Sequence, residues 1–340
     1  MTRRALLLIV VALVAWGCAS AATPPAPPPA APVVTGPPAP DVFESPDFIV
    51  VIPKTPETSA TLAARYLGDA AKAWMIEEFT GAGTFAPGQQ AVIPRKAWNP
   101  AGVTASGYRL VPILVYHNLD AQPKGRLVQS VSSFDQQMHY LKTEGYHTLT
   151  LTEFLEFTRL ERQLPRKSVV LTFDDGYKSF KQYAYPVLKE LGFTATLFVY
   201  TDYVGAGRNA LSWADIKALQ GEGFDIQAHS KTHGDLRRAP GETPAQFAQR
   251  MQAELAQPRD LFKRQLGQTP ETIAYPYGRW DADVLKQVQA AGYVAAFTVR
   301  RQGNPAFVSP LTIHRSQIYA DMSLDEFVKN LTLYQEEDLR

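Results

Sequence analysis

The sequence reads as an α/β protein: a distorted (β/α) barrel of about seven parallel strands, preceded by a small α+β unit. Three observations predict it. From residue 109 to residue 340, short apolar or β-branched runs alternate with segments of helical spacing, the pattern of parallel strands joined by crossover helices. That stretch is long enough for one sizeable domain with a full core. Its acidic and imidazole-bearing motifs fall at the ends of strand-like runs, where a barrel of this class carries its chemistry.

In chain order, Met1-Thr2-Arg3-Arg4 followed by the apolar Ala5 to Val14 is a basic start and an apolar core too short to span a bilayer as a mature helix. Residues 1–17 therefore read as a signal peptide. Ala15-Trp16-Gly17-Cys18 resembles the lipobox of bacterial lipoproteins, and Cys18 is the one cysteine of the chain, so the expectation is lipidation at Cys18 and no intramolecular disulfide. By the same resemblance, Ala19 implies an exported lipoprotein anchored by its lipid at the periplasmic face of a bacterial membrane, the outer membrane in particular. Residues 18–46 follow as a tether, since the Ala, Pro, Thr and Val that fill them to Pro40 bury no core and stiffen toward polyproline geometry. Lys plus Arg number 34 against 33 Asp plus Glu, net +1; removing residues 1–17 takes Arg3 and Arg4 and no acid, which lowers the charge by two, to −1. That balance argues against a nucleic-acid partner.

Residues 47–95 read as the small α+β unit: a strand at Phe48 to Val51, helical spacing over Ser59 to Tyr66 and Ala70 to Phe79, then a Pro87-Gly88 turn into a strand ending at Pro94. Thr58 to Tyr66, with the closing Pro-Gly-Gln and Ile93-Pro94, resembles the LysM fold, which implies binding of N-acetylglucosamine polymers. Residues 96–108, with Trp98, Pro100 and two glycines, form a linker. The barrel strands are expected at Leu110 to Tyr116, Val169 to Phe173, Ala195 to Tyr200, Phe224 to Ala228, Thr272 to Tyr275, Val294 to Val299 and Leu311 to Ile313. Helices are expected at Ser133 to Glu144, Thr152 to Glu161, Ser179 to Leu191, Ser212 to Glu222, Thr243 to Leu266, Asp281 to Ala291 and Ser323 to Tyr334.

The chemistry is concentrated in three places. Leu171-Thr172-Phe173-Asp174-Asp175-Gly176-Tyr177 ends a buried strand in two adjacent acids, and strand alternation would point them to opposite faces, one toward a metal and the other toward a substrate. His229-Ser230-Lys231-Thr232-His233 follows the strand at 224–228; two histidines four apart can meet one ion if the segment coils. One carboxylate and two imidazoles leave coordination positions open, the arrangement of a catalytic metal. Tyr275-Pro276-Tyr277-Gly278 ends a third strand.

These motifs, in this order, resemble the polysaccharide deacetylases of the NodB-homology class, carbohydrate esterase family four, over about Leu110 to Leu333. The resemblance implies that Asp174 is the general base, that Asp175, His229 and His233 hold the metal, and that the backbone N–H of Tyr277 faces the oxyanion. Zinc is the expected ion, with cobalt, nickel or iron also compatible with that ligand set. For the general acid there are two candidates: His117, similar to the Tyr-His of biofilm poly-N-acetylglucosamine deacetylases, and His314, in a Leu-x-x-His like that of other members. Alternation gives His314 and Arg315 opposite faces; His117 is favoured as the acid, with Arg315 inward to hold Asp174 ionised. Tyr275, Trp280 and Trp213 are candidates for substrate contact, whereas His139 and His147 read as surface residues. The expected function is hydrolysis of N-acetyl groups on N-acetylglucosamine units of an extracytoplasmic glycan. O-acetyl ester hydrolysis and a purely glycan-binding lipoprotein are the alternatives.

Overall fold

Strand propensity and burial settle the small unit first. The computed structural model describes residues 40–340; the signal peptide, Cys18 and the tether through Ala39 lie outside the described residues. Phe48–Ile52 (β2) alternates in burial, turning Ile49 and Val51 inward. It pairs antiparallel with Ala91–Pro94 (β3) on one side and on the other with Asp41–Glu44 (β1), a strand that the expected tether hid. Ser59–Tyr66 (α1) starts on a capping box between Thr58 and Thr61, and Ala73–Thr80 (α2) stops on the left-handed Gly81. Leu62, Ala63 and Ile76 from these helices close a core on Ile49, Val51, Ala91 and Ile93.

Seven parallel strands build the barrel. In sequence order they are Ile113–Tyr116 (β4), Ser168–Asp175 (β5), Thr196–Val199 (β6), Asp225–Ala228 (β7), Thr272–Ala274 (β8), Ala295–Phe297 (β9) and Ser316–Gln317 (β10). Their spatial order is β9-β8-β7-β6-β5-β4-β10. Ile313 makes a further parallel bridge to Phe297, so the 313–317 segment bonds both ends of the sheet and curls it closed. The crossover helices include Val131–Thr143 (α3), Leu151–Thr158 (α4), Tyr185–Leu191 (α5), Trp213–Gly221 (α6), Pro244–Met251 (α7), Gln257–Leu266 (α8), Ala282–Ala290 (α9) and Leu324–Val328 (α10). All eight residues of β5 are buried, which is what a strand covered on both faces requires.

Two expectations shift. The last strand lies at 316–317 rather than 311–313, because the apolar Leu311-Thr312-Ile313 contributes a single bridge and the pairing with β4 passes to the polar Ser316 and Gln317. The last helix ends at Val328 rather than Tyr334; Tyr334–Glu336 instead pairs antiparallel with Gly107–Arg109. No helix among the described residues is long and apolar enough to cross a membrane.

Candidate metal and catalytic site

The site assembles where β5, β7 and β8 end. Asp174 and Asp175 close β5, and Asp175 takes a left-handed φ of 76°, followed by Gly176 at 85°. A Cβ on Gly176 would stand 3.0 Å from Val199 Cγ1, so a larger residue has no room beside β6. The positive φ corrects the expectation of opposed acids. It breaks strand alternation at Asp175, and both carboxylates reach the same imidazole: His229 Nε2 is 3.6 Å from Asp175 Oδ1 and 3.8 Å from Asp174 Oδ2.

His229 follows β7 and is fixed by an Nδ1 contact of 2.8 Å to the Ala274 carbonyl at the end of β8. That bond places the proton on Nδ1 and turns the Nε2 lone pair to the acids. The chain then coils tightly, with Ser230 at φ 69° and His233 at φ 62°, and the His233 N–H donates to Ser230 Oγ at 3.0 Å. His233 Nε2 comes to 3.3 Å from Asp175 Oδ1. One ligand atom each from Asp175, His229 and His233 lies within 4.8 Å of the others. With Tyr277 at φ 59°, four of the five non-glycine residues of positive φ among those described belong to this rim. Backbone strain of that kind persists only where surrounding structure enforces it.

Charge and burial make the trio fit for a cation. Burial holds His229 near pKa 3 and lowers that of His233, so both imidazoles are neutral donors. Burial, and then the neighbouring Asp174, push Asp175 up to about 7, and its buried Oδ1 has no hydrogen-bond donor. A divalent ion would supply the missing positive partner. Asp174 is different. Burial would raise its pKa, yet Arg315 and His229 bring it down to about 2. Arg315 is fully buried and grips it by two bonds of 2.7 Å, with Nε donating to the Thr298 carbonyl at 3.0 Å.

The remaining candidates divide. His117 follows β4 close enough to Asp174 and Arg315 to feel both charges; burial lowers its pKa, and its buried Nδ1 is unpartnered. His314 lies on the opposite face from Arg315, in a groove of about 560 Å³ shared with Trp280 and Arg300. Tyr277 presents its ring to His233, centroids 4.7 Å apart, and Tyr200 flanks the same imidazole at 5.1 Å. Tyr275 departs from the expected substrate contact: it is fully buried, with its hydroxyl donating to the Leu311 carbonyl at 3.0 Å. Trp213 departs too, because its ring packs edge-on against Phe262 of α8, 5.6 Å between centroids. His139 lies in α3 and His147 in a short strand beside β5, both apart from this cluster.

One residue went unnoticed in the sequence. Glu254 is buried in a π-helical turn, Gln252–Ala256, between α7 and α8. Its Oε2 accepts the N–H groups of Lys231 and Thr232, both at 3.0 Å, and its Oε1 accepts the Thr232 hydroxyl at 2.7 Å. It therefore clamps the loop that carries both histidines. The available signal was a carboxylate in line with the apolar face Phe247, Met251 and Leu255, a place where an acid is costly unless bonded.

The chain is similar to several known proteins. A family model described as polysaccharide deacetylase matches residues 161–296, which include Asp174, Asp175, His229, His233 and Tyr277. YxkH of Bacillus subtilis (strain 168), whose name assigns it to the polysaccharide deacetylases, is 31% identical over 217 residues, covering 64% of this chain and 74% of that protein. A poly-β-1,6-N-acetyl-D-glucosamine N-deacetylase of Staphylococcus aureus (strain N315) is 27% identical over 62% of this chain and 73% of its own length. Among solved structures, the Streptococcus pyogenes deacetylase PplD in complex with acetate superposes with a TM-score of 0.59 at 27% identity, covering 67% of this chain and all of that one.

Proposed function

The chain belongs to the polysaccharide deacetylase family, and from that premise we propose that it removes N-acetyl groups from N-acetylglucosamine units of an extracytoplasmic glycan in a metal-dependent reaction. The observation that carries this reading is the trio Asp175, His229 and His233 set beside a carboxylate that Arg315 keeps ionised. A divalent ion held by the trio, zinc first among the candidates, supplies Lewis acidity at the acetyl carbonyl and lowers the pKa of water to about 7. The rest falls to the chain. Asp174 takes the proton of the attacking water, a role that needs it unprotonated, as its depressed pKa leaves it. The Tyr277 N–H, aimed by a left-handed turn, donates to the oxyanion. His117 delivers a proton to the departing amine; the negative charge that gathers beside it during attack offsets the burial that otherwise keeps it neutral. Trp280, 40% exposed, offers a ring to the sugar.

Export and anchoring at a bacterial envelope through Cys18 complete the proposal, and place the enzyme where such polymers lie. The LysM-like reading of the small unit draws support from its β2, α1, α2, β3 order, to which β1 is an addition. Acetate release from β-1,6- and β-1,4-linked N-acetylglucosamine oligomers by the purified protein tests the reaction. Release should stop with a chelator, return with zinc, and fall about 10²–10⁴-fold in Asp174→Asn while bound metal is retained. Undiminished turnover in Asp174→Asn, or in the stripped protein, overturns the assignment.

A further inference from the structure

A cavity of about 640 Å³ lies at the other end of the barrel from the acids, where α2, the 96–108 linker and the beginnings of β4 and β5 meet. β5 connects the two ends: seven steps from Ser168 to Asp175, at about 3.3 Å each, separate cavity and site by roughly 23 Å. The walls are fixed. Glu78 of α2 accepts from the Arg109 guanidinium at 3.0 Å and from the Arg166 N–H, and Phe79 packs edge-on against Trp98, centroids 5.4 Å apart.

Gln163 is the decisive group. It is 8% exposed, and its Oε1 accepts the N–H of Trp98 at 3.0 Å and of Asn99 at 3.1 Å. Two backbone donors on one atom fix that atom as oxygen, so the orientation of the amide is not arbitrary. Gln163 lines the cavity, and its NH₂ end has no acceptor among the described residues. Around it stand the Trp98 and Tyr334 rings, the latter held through its hydroxyl by Thr104 at 2.6 Å, and the Arg166 guanidinium, which has no carboxylate partner among the described residues. An aromatic wall, an unpartnered amide donor and a guanidinium suit a sugar ring. Its C–H face lies on the aromatic ring, and its oxygens accept from the nitrogens.

We propose that this cavity is a second carbohydrate-binding site, in which Gln163 Nε2 donates to a sugar oxygen and Trp98 forms the stacking wall, so that the protein holds its glycan at a point distant from the catalytic rim. The choice of N-acetylglucosamine as the sugar rests on the deacetylase reading; the cavity's chemistry does not. The small unit then serves recognition by supporting this wall through Glu78 and Phe79.

Calorimetric titration of the purified full-length protein with β-1,4- and β-1,6-linked N-acetylglucosamine tetramers, chelator present to prevent turnover, tests the site. Trp280→Ala weakens the contribution of the rim, so the cavity variants are read against a smaller background. Gln163→Glu keeps the oxygen that the Trp98 and Asn99 N–H groups need and replaces the donor with a second, anionic oxygen. In it, tetramer binding should weaken about tenfold at an unchanged melting temperature. Trp98→Ala should weaken binding in the same direction, and kcat for acetate release should stay at the parent value in both. Parent-like affinity in both variants, or no tetramer binding by the parent, overturns the site. Acetate release is scored separately: release without Gln163-sensitive binding sinks this site alone, and Gln163-sensitive binding without release sinks the reaction instead.

Discussion

Arg315 carries its charge with no exposed surface, and four hydrogen bonds, to Asp174, Thr298 and the Thr172 hydroxyl, are what make that tolerable. Arg315→Met would leave Asp174 buried with its main counter-charge gone, a loss of about 3–5 kcal/mol for a broken buried pair. Arg315→Lys returns the charge without the two-pronged fork and should fall between. Urea unfolding checks both, with the midpoint lowest in Arg315→Met; a parent-like midpoint there contradicts the pairing. Residue types were legible at this scale wherever their chemistry is narrow. Adjacent acids after a buried strand, and two histidines four apart, have few other uses in such a place, and the structure brings Asp175, His229 and His233 together. Aromatics were less legible. Tyr275 sits in a motif and Trp213 follows a strand-to-helix loop, yet a ring turned into the barrel wall and a ring turned to the groove look the same in sequence.

At the scale of elements, the His229–His233 loop is a strained coil that cannot hold itself. Two of its five residues have positive φ, and the N–H groups of Lys231 and Thr232 depend on Glu254. The π-helical turn places Glu254 there: one residue more in that turn re-aims the side chain from the apolar stripe of α7 to the loop. Glu254→Ala should therefore lower zinc affinity about 10–100-fold, the usual effect of losing a support behind metal ligands. Glu254→Gln, which still offers one oxygen, should lose less. Competition for zinc with a chromogenic chelator reads this directly, and unchanged affinity in Glu254→Ala would show that the loop keeps its shape unaided. Why the strand and helix alternation was readable, and the π turns were not, follows from periodicity. A window of helical spacing tolerates one extra residue, so 243–266 reads as one helix whether or not a π turn interrupts it. The last strand escaped for a related reason, since Ser316 and Gln317 follow a buried arginine rather than an apolar run.

For the whole molecule, the question is what fixes the small unit to the barrel besides the linker that joins them. The sequence separates the two at residues 96–108 but says nothing of their docking, because the groups that make it are single residues far apart in the chain. Glu78 is the clip: it joins α2 to Arg109 ahead of β4 and to Arg166 ahead of β5, and the Glu78 and Arg109 side chains are only 11% and 13% exposed. Removing the carboxylate in Glu78→Ala takes the ionic partner from a guanidinium that keeps its bond to the Leu164 carbonyl, and orphans a backbone N–H, a cost of about 1–3 kcal/mol. Spent on local undocking, that raises the open population about five- to hundredfold. Trypsin cleavage after Arg95 or Lys96, where the linker begins, should accelerate by a similar factor if opening precedes cutting. Acetate release should not change, because the acids lie at the far end of β5, whose register with β4 and β6 does not involve α2. Parent-like cleavage would mean that the Phe79–Trp98 contact suffices to dock the unit. A fall in acetate release alongside faster cleavage would mean instead that the two ends of the barrel are coupled through β5.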